Sequence, residues 1–504
     1  MKTYFLLIAT ALFVVSCSDL TDLEFEESLR TWAAPIAESE TTFEDFFNDA
    51  PGATSVYIDE NNIAIIRYDA KPVRRYAGAI IDPIDLNIPI ALPNNPTVLP
   101  LPVPSEVELE RAVLTGEKLF ITYESDATED VAIAISIPEL SLNGATLVLR
   151  DTLRYDGTSP MVGGILDFDL AGYTLAIPEG TIEIGYSATL ADGADVDLTR
   201  VIFLISKRLD FSYLEGIWSK NTFAGGSDTI RISLYEDFLS GSLEIDNPRI
   251  VARFSNSFGV PVEGRLPIFQ VVTVDGTEVP ITSPLLAEGI DFPFPGLSED
   301  FNDIKDTTIV YDKSNSNLVE VFNSQPVRVE YQLDLVVNPD DLPDVRGWIA
   351  DSSLLGVDVA VEIPVQGTAD QFGAETQIEI GVEVNPDERP TKVELHFFSE
   401  NEIPLGIEGQ IYINAQGRII DSLFTEKTEI VSAAIVDASG TVTEVAEKKT
   451  IVELSGTKLD RFLSANILTA KVQFSTSQEA TVPVTVFGDQ KLKINLGTLI
   501  TERN

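Results

Sequence analysis

The chain has 504 residues, with 80 acidic side chains against 34 basic ones, a formal net charge of −46, one histidine and one cysteine. A surface this negative repels phosphate backbones and anionic headgroups, which excludes nucleic acid and polybasic-type membrane contacts. A lone cysteine excludes an internal disulfide, and a lone histidine excludes multi-histidine zinc sites. With 44% hydrophobic residues the chain is too apolar for charge-driven disorder, and its length suits about three domains.

The first element is a leader. Lys2 is the only charge before Cys17, and Tyr4 to Val15 is an apolar or small-residue run of twelve, long enough for a signal peptide and too short to span a bilayer. It ends in Val14-Val15-Ser16-Cys17, which resembles a bacterial lipobox. That resemblance implies a signal peptide over 1–16 and a diacylglycerol on the Cys17 sulfur. Several acyl chains on one residue hold a protein firmly to a membrane, where one alone is marginal. Residues 18 to about 30 are polar and acidic and read as a spacer. Thr41 and Glu44 are spaced as a capping box ahead of Phe46 and Phe47, which predicts a helix over 41–49. Seven prolines between Asp82 and Pro104 exclude a central strand. That segment is either a linker or a strap across a domain, and its interleaved Ile, Leu and Val favour the strap.

Beyond residue 115, period-two alternation dominates. Segments 117–124, 130–140, 144–153, 181–190 and 200–206 read as strands separated by Asn, Gly and Asp clusters. The pattern continues through 228–235, 241–245, 249–257, 267–274, 307–312, 317–322 and 327–337, then 357–365, 376–384, 392–398, 407–413, 450–454, 470–476 and 491–497. One further helix is predicted over 456–466, with Leu459, Phe462 and Leu463 on one face. The expected fold class is all-β: tandem antiparallel Ig-like β-sandwich modules with two or three short helices. The expected divisions are 17–113 for the tether, short helix and Pro-rich strap, and 114–212, 213–340 and 341–504 for three sandwich modules. Two pairs of segments hint at repetition. Residues 255–269 and 399–413 share an Asn, a loop, a Pro and a Gly before a strand, and 131–144 and 357–367 share an alternating run into Ile-Pro and then Gly.

Candidate sites are sparse. His396 lies beside Phe397 and Phe398 and reads as an ordinary strand residue, which leaves serine and cysteine hydrolase chemistry without a base. Paired-carboxylate glycosidase chemistry survives only because 80 acids supply pairs by accident. No catalytic residue is assigned, and the chain is expected not to be an enzyme. Asp192, Asp195 and Asp197 bring three hard oxygen ligands into one turn, and Asp340, Asp341 and Asp344 into another; both are candidate Ca²⁺ ligand sets, weighed against solvated turns. Residues 223–229, with two adjacent glycines, read as a hairpin loop. Trp32, Trp218 and Trp348 are either core or a sugar-stacking platform.

Residues 243–264 resemble the late-embryogenesis-abundant, water-stress type of β-sandwich. The lipobox, 32–47, 209–218, that same stretch and 403–424 resemble an uncharacterised family of Bacteroidota outer-membrane lipoproteins. The resemblance implies a lipid anchor in the outer membrane and carries no activity. Asp-Thr-Leu at 151–153, Asp-Thr-Ile at 228–230, Asp-Thr-Thr at 306–308 and Asp-Ser-Leu at 421–423 resemble Bacteroidota O-glycosylation acceptors, with Thr152, Thr229, Thr307 and Ser422 as the hydroxyls. The acidic run after Cys17 resembles a surface-export signal and favours the outer face over the periplasmic one. The expected role is structural or protein-interacting, with envelope proteins as partners and no cofactor. Carbohydrate binding and lipid binding are the alternatives.

Overall fold

The computed structural model describes residues 29–42, 54–77, 84–85, 89–101, 106–158, 161–177, 180–206, 208–235, 238–300, 303–379 and 389–503. Cys17 and most of the helix predicted over 41–49 lie outside these residues; Thr41 and Thr42 close the strand Leu29–Thr42. No helix among the described residues is long and apolar enough to cross a membrane. The protein is an all-β sandwich protein, and one strand plan recurs three times.

In the first module Lys118–Ser125 lies between Val162–Asp169 and Arg200–Ser206, while Val131–Leu142 pairs with Thr181–Leu190, which pairs with Thr97–Pro100. In the second, Arg249–Asn256 lies between Lys305–Tyr311 and Leu354–Pro364, while Val262–Thr273 pairs with Pro326–Val337, which pairs with Asn221–Arg231. In the third, Pro390–Asn401 lies between Ala446–Ser455 and Lys491–Arg503, while Leu405–Ala415 pairs with Ile467–Thr476, which pairs with Gln366–Glu379. All of these pairings are antiparallel. Inward-facing residues alternate along the strands, as where Val131, Ile133, Ile135 and Ile137 are buried and the residues between them are not, because only one face of each sheet meets the core. One apolar cluster joins Ile121, Ile184, Phe254 and Val361, and a second, around Ile413, Leu454 and Phe462, fills part of the third module.

The N-terminal region runs back along all three modules. Leu29–Thr42 pairs with Lys491–Arg503, Ala64–Asp69 with Leu354–Pro364, and Ile90–Ala91 with Arg200–Ser206. Each partner is the last strand of its module, so the strap serves the third module first and the first module last. Arg67 of the strap donates to Glu362 at 2.8 Å, and Glu362 is only 6% exposed. Such a pair is costly to break, because removing one partner strands a buried charge.

Neighbouring modules are also stitched together. Val107–Leu114 pairs with Phe211–Trp218, which also pairs with Arg346–Ala350. Phe238–Ile245 pairs with Gln366–Glu379, which also pairs with Val484–Thr485. The divisions drawn from sequence cut across these pairings. Residues 354–364 close the second module, not the third, and 29–91 supply strands to all three. The physical reason is that alternation marks a strand without naming its partner.

Two local readings are corrected. Residues 317–322 are not a strand: Leu318–Phe322 is a short helix whose Leu318, Val321 and Phe322 are buried at i, i+3 and i+4. The segment 223–229 is not a hairpin loop but lies within Asn221–Arg231, with a register shift between Ala224 and Gly226. A Cβ on Gly225 would stand 2.8 Å from the Leu333 carbonyl oxygen, and Gly226 has φ +130°, so the glycines permit a bulge in mid-strand. The helix predicted over 456–466 is observed as Gly456–Leu463, with Leu459 and Phe462 buried.

Candidate functional site

The sequence-predicted site residues are dispersed. Asp192, Asp195 and Asp197 are all exposed, and the Asp192 carboxylate accepts the Ala194 N–H at 2.9 Å, the ordinary bond of an Asx turn. Asp340, Asp341 and Asp344 are likewise exposed. Among the described residues, no three His, Cys, Asp or Glu side chains are placed to hold a metal ion. His396 faces Glu394 at 3.1 Å on Pro390–Asn401, opposite Ile451 and Gly497. Trp218 and Trp348 are each 1% exposed and therefore core, unable to stack on a sugar; the Trp32 side chain lies outside the described set. Thr152 and Thr229 are exposed, Thr307 is half-buried, and Ser422 is half-buried with its hydroxyl donating to the Phe424 carbonyl at 2.8 Å.

The 255–269 and 399–413 similarity marks equivalent places: the turn between Arg249–Asn256 and Val262–Thr273 in the second module and that between Pro390–Asn401 and Leu405–Ala415 in the third. Asn256 and Asn401 are each 1% exposed. Each side-chain oxygen accepts the N–H two residues on, from Phe258 and Ile403, at 2.9 Å. Each Nδ2 donates to a carbonyl across the sandwich, Pro293 at 3.1 Å or Ser432 at 2.8 Å. The 131–144 and 357–367 similarity has no such meaning. Pro138 sits at a register shift inside Val131–Leu142, whereas Pro364 ends a closing strand.

Beside the Asn401 turn lies a groove of about 500 Å³, which the sequence reading missed. Ile407, Ala433, Ala434, Ile435 and Val436 supply its apolar wall, and Glu408, Glu429 and Glu479 supply carboxylates. Lys427 pairs with Glu408 at 2.8 Å and Lys448 with Glu429 at 2.6 Å. Burial works to raise the Glu429 carboxyl, but hydrogen bonds from Lys448 and Ser432 and the Lys448 charge hold it below the ordinary range. Gln473, also on the lining, donates to the Ser240 hydroxyl of the second module at 3.2 Å, and its buried Oε1 has no hydrogen-bond partner.

The rim of this groove is strained. Gln478, Glu479 and Ala480 have φ of 55°, 54° and 57°, three successive non-glycine residues in the left-handed region. Each such residue costs on the order of 1–3 kcal/mol and persists only where its surroundings over-determine it. Here the Ser477 hydroxyl donates to the Ala434 carbonyl, and Gln478 Nε2 donates to the Val436 carbonyl at 2.8 Å. The turn is thus pinned to the opposite wall. Strain next to a concave surface is the feature that makes this groove the candidate contact site.

No family model matches the chain, and no curated protein matches it. Solved structures do match over most of its length. A crystal structure of a "putative secreted protein from Parabacteroides distasonis ATCC 8503" is 10% identical, with 94% of this chain and 99% of that one covered and a TM-score of 0.27. A structure of infectious bursal disease virus, Gx strain, is 11% identical, with 97% and 82% covered and a TM-score of 0.17. Scores this low carry no argument about site or activity.

Proposed function

We propose that the protein is a lipid-anchored component of the outer membrane with a structural, protein-interacting role, holding three β-sandwich modules in series for contact with other envelope proteins. The strap supports this reading. Eleven residues separate Cys17 from Leu29, a reach of no more than about 40 Å at full extension. Leu29 pairs with Arg503, so an anchor at Cys17 keeps the third module nearest the bilayer and the first module farthest away. The groove lies beside the Asn401 turn, at the opposite end of the third module from Leu29 and Arg503, where neighbouring envelope proteins meet it. The role is non-enzymatic, on the outer face of the cell, with Thr152 and Thr229 the accessible hydroxyls for sugar attachment.

Two measurements test this. Radiolabelled palmitate should enter the native chain and be lost from Cys17→Ala, and protease added to intact cells should cut the first module before the third. Palmitate absent from the native chain contradicts the anchor. A chain protected until the membrane is breached contradicts the outer face.

A further inference from the structure

The outer edge of Lys491–Arg503 is a strand-binding site that the chain fills with its own N-terminus. We propose that it also accepts Leu29–Thr42 from a second copy of this chain, so that neighbouring molecules join by exchanging N-terminal strands. Leu29–Thr42 is an end strand of its sheet, and its only strand partner among the described residues is Lys491–Arg503. Its polar ties also run to that strand: Glu40 to Lys491 at 2.6 Å and to Lys493 at 3.8 Å, and the Thr31 hydroxyl to that of Thr501 at 3.1 Å. Nothing in this set depends on both strands belonging to one molecule.

The number of residues joining the strand to the rest of the strap sets how far the strand can reach. Thr42 sits opposite Lys491, while the Asn62 carbonyl accepts the Gly488 N–H and the Asn62 side chain donates to Asp489. Gly488 and Lys491 are three residues apart, so Asn62 sits close along that stretch to the partner of Thr42, and the twelve-residue path from Thr42 to Thr54 spans up to about 40 Å when extended. The strand can therefore seat on an adjacent copy while Thr54–Ile58 and Ala64–Asp69 stay on their own second module. Thr31 and Thr501 are 470 residues apart, so the N-terminal strand is synthesised long before its site exists. Within one molecule the joining chain gives an effective concentration near the millimolar range, so closure onto self wins in dilute solution and exchange requires crowding. On the anchoring reading above, neighbours hold their third modules at one height above the bilayer, which supplies that crowding.

The test uses soluble Cys17→Ala chains, so it is independent of acylation. One chain carries Thr31→Cys, the other Thr501→Cys, each with its own affinity tag; they are unfolded together, refolded over a range of concentrations and oxidised. The expected product is a disulfide-linked pair carrying both tags. While it is the minor species, its share should rise about tenfold for each tenfold rise in concentration. Light scattering on the same chains without added cysteines should show the matching dimer. Refolded chains that stay monomeric by light scattering and unlinked at every concentration overturn the proposal. The double variant Thr31→Cys/Thr501→Cys, closing within single molecules, keeps that result distinct from a failure of the strand pairing itself.

Discussion

The second and third modules share a strand plan and a buried asparagine at the same turn, yet they meet their preceding neighbours differently. At the first junction the indole of Trp348 is buried, stacks on Tyr213 with ring centroids 6.0 Å apart, and donates to the Gly296 carbonyl at 3.2 Å. Gly259 makes room for it, since a Cβ there would stand 2.3 Å from the ring. At the second junction the corresponding strand is only Val484–Thr485, no aromatic side chain lines the space by the Asn401 turn, and a groove stays open. Topology and filling are thus separable. Buried hydrogen bonds set the path of the turn, and one large side chain decides whether the junction is sealed.

The comparison can be broken at several points. The largest effect should be collective and alkaline. Burial raises the phenols of Tyr57, Tyr311 and Tyr331 from 10 to about 12, with Glu362 adding to the shift at Tyr57 and Asp228 and Asp358 at Tyr331. The stability they lend is intact below pH 10 and is lost as pH rises through 12. Tyr311 and Tyr331 belong to the second module and Tyr57 to the strap strand beside it. Hydrogen exchange from pH 9 upward should therefore show the second module opening before the third. Next, Trp348→Ala should cost about 3–5 kcal/mol in denaturant unfolding, by removing the indole that seals the first junction.

Asn256→Ala and Asn401→Ala should each cost about 2 kcal/mol, because each leaves a buried N–H and a buried carbonyl unpaired. Equal penalties would confirm that the two turns are one device used twice; a negligible cost at either would break the equivalence. The smallest effect has the opposite sign. Glu479→Gly should stabilise the third module by about 1 kcal/mol, since glycine adopts positive φ without strain. If the strained rim shapes the contact site, this variant should also weaken recovery of crosslinked envelope proteins.

Much of the fold was legible because strands declare themselves locally. Val131–Leu142 and Arg249–Asn256 alternate, and the Asn and Pro spacing near residues 256 and 401 pointed to a repeated turn. The strap was partly legible, since prolines forbid a central strand. Leu29–Thr42 was not: its run of Ala, Pro, Glu, Ser and Thr has no apolar alternation, and its pairing is set by a strand some 470 residues away. The Gly225–Gly226 bulge was misread for the same reason, because only the facing Leu333 shows why side chains are excluded there. The groove was invisible because its walls come from four separated stretches around residues 407, 429, 434 and 476. The strain on its rim falls on Gln, Glu and Ala, residue types that give no hint of a left-handed turn.

The return of the N-terminus along all three modules is most directly tested by the Cys17→Ala chain carrying both Thr31→Cys and Thr501→Cys. Directly opposed residues in an antiparallel pair lie about 4.5–5.5 Å apart at Cα, within reach of a disulfide. In dilute solution the folded protein should close this bond within single molecules on mild oxidation, with its melting temperature maintained or raised. Two thiols that stay free in the folded chain would contradict the account.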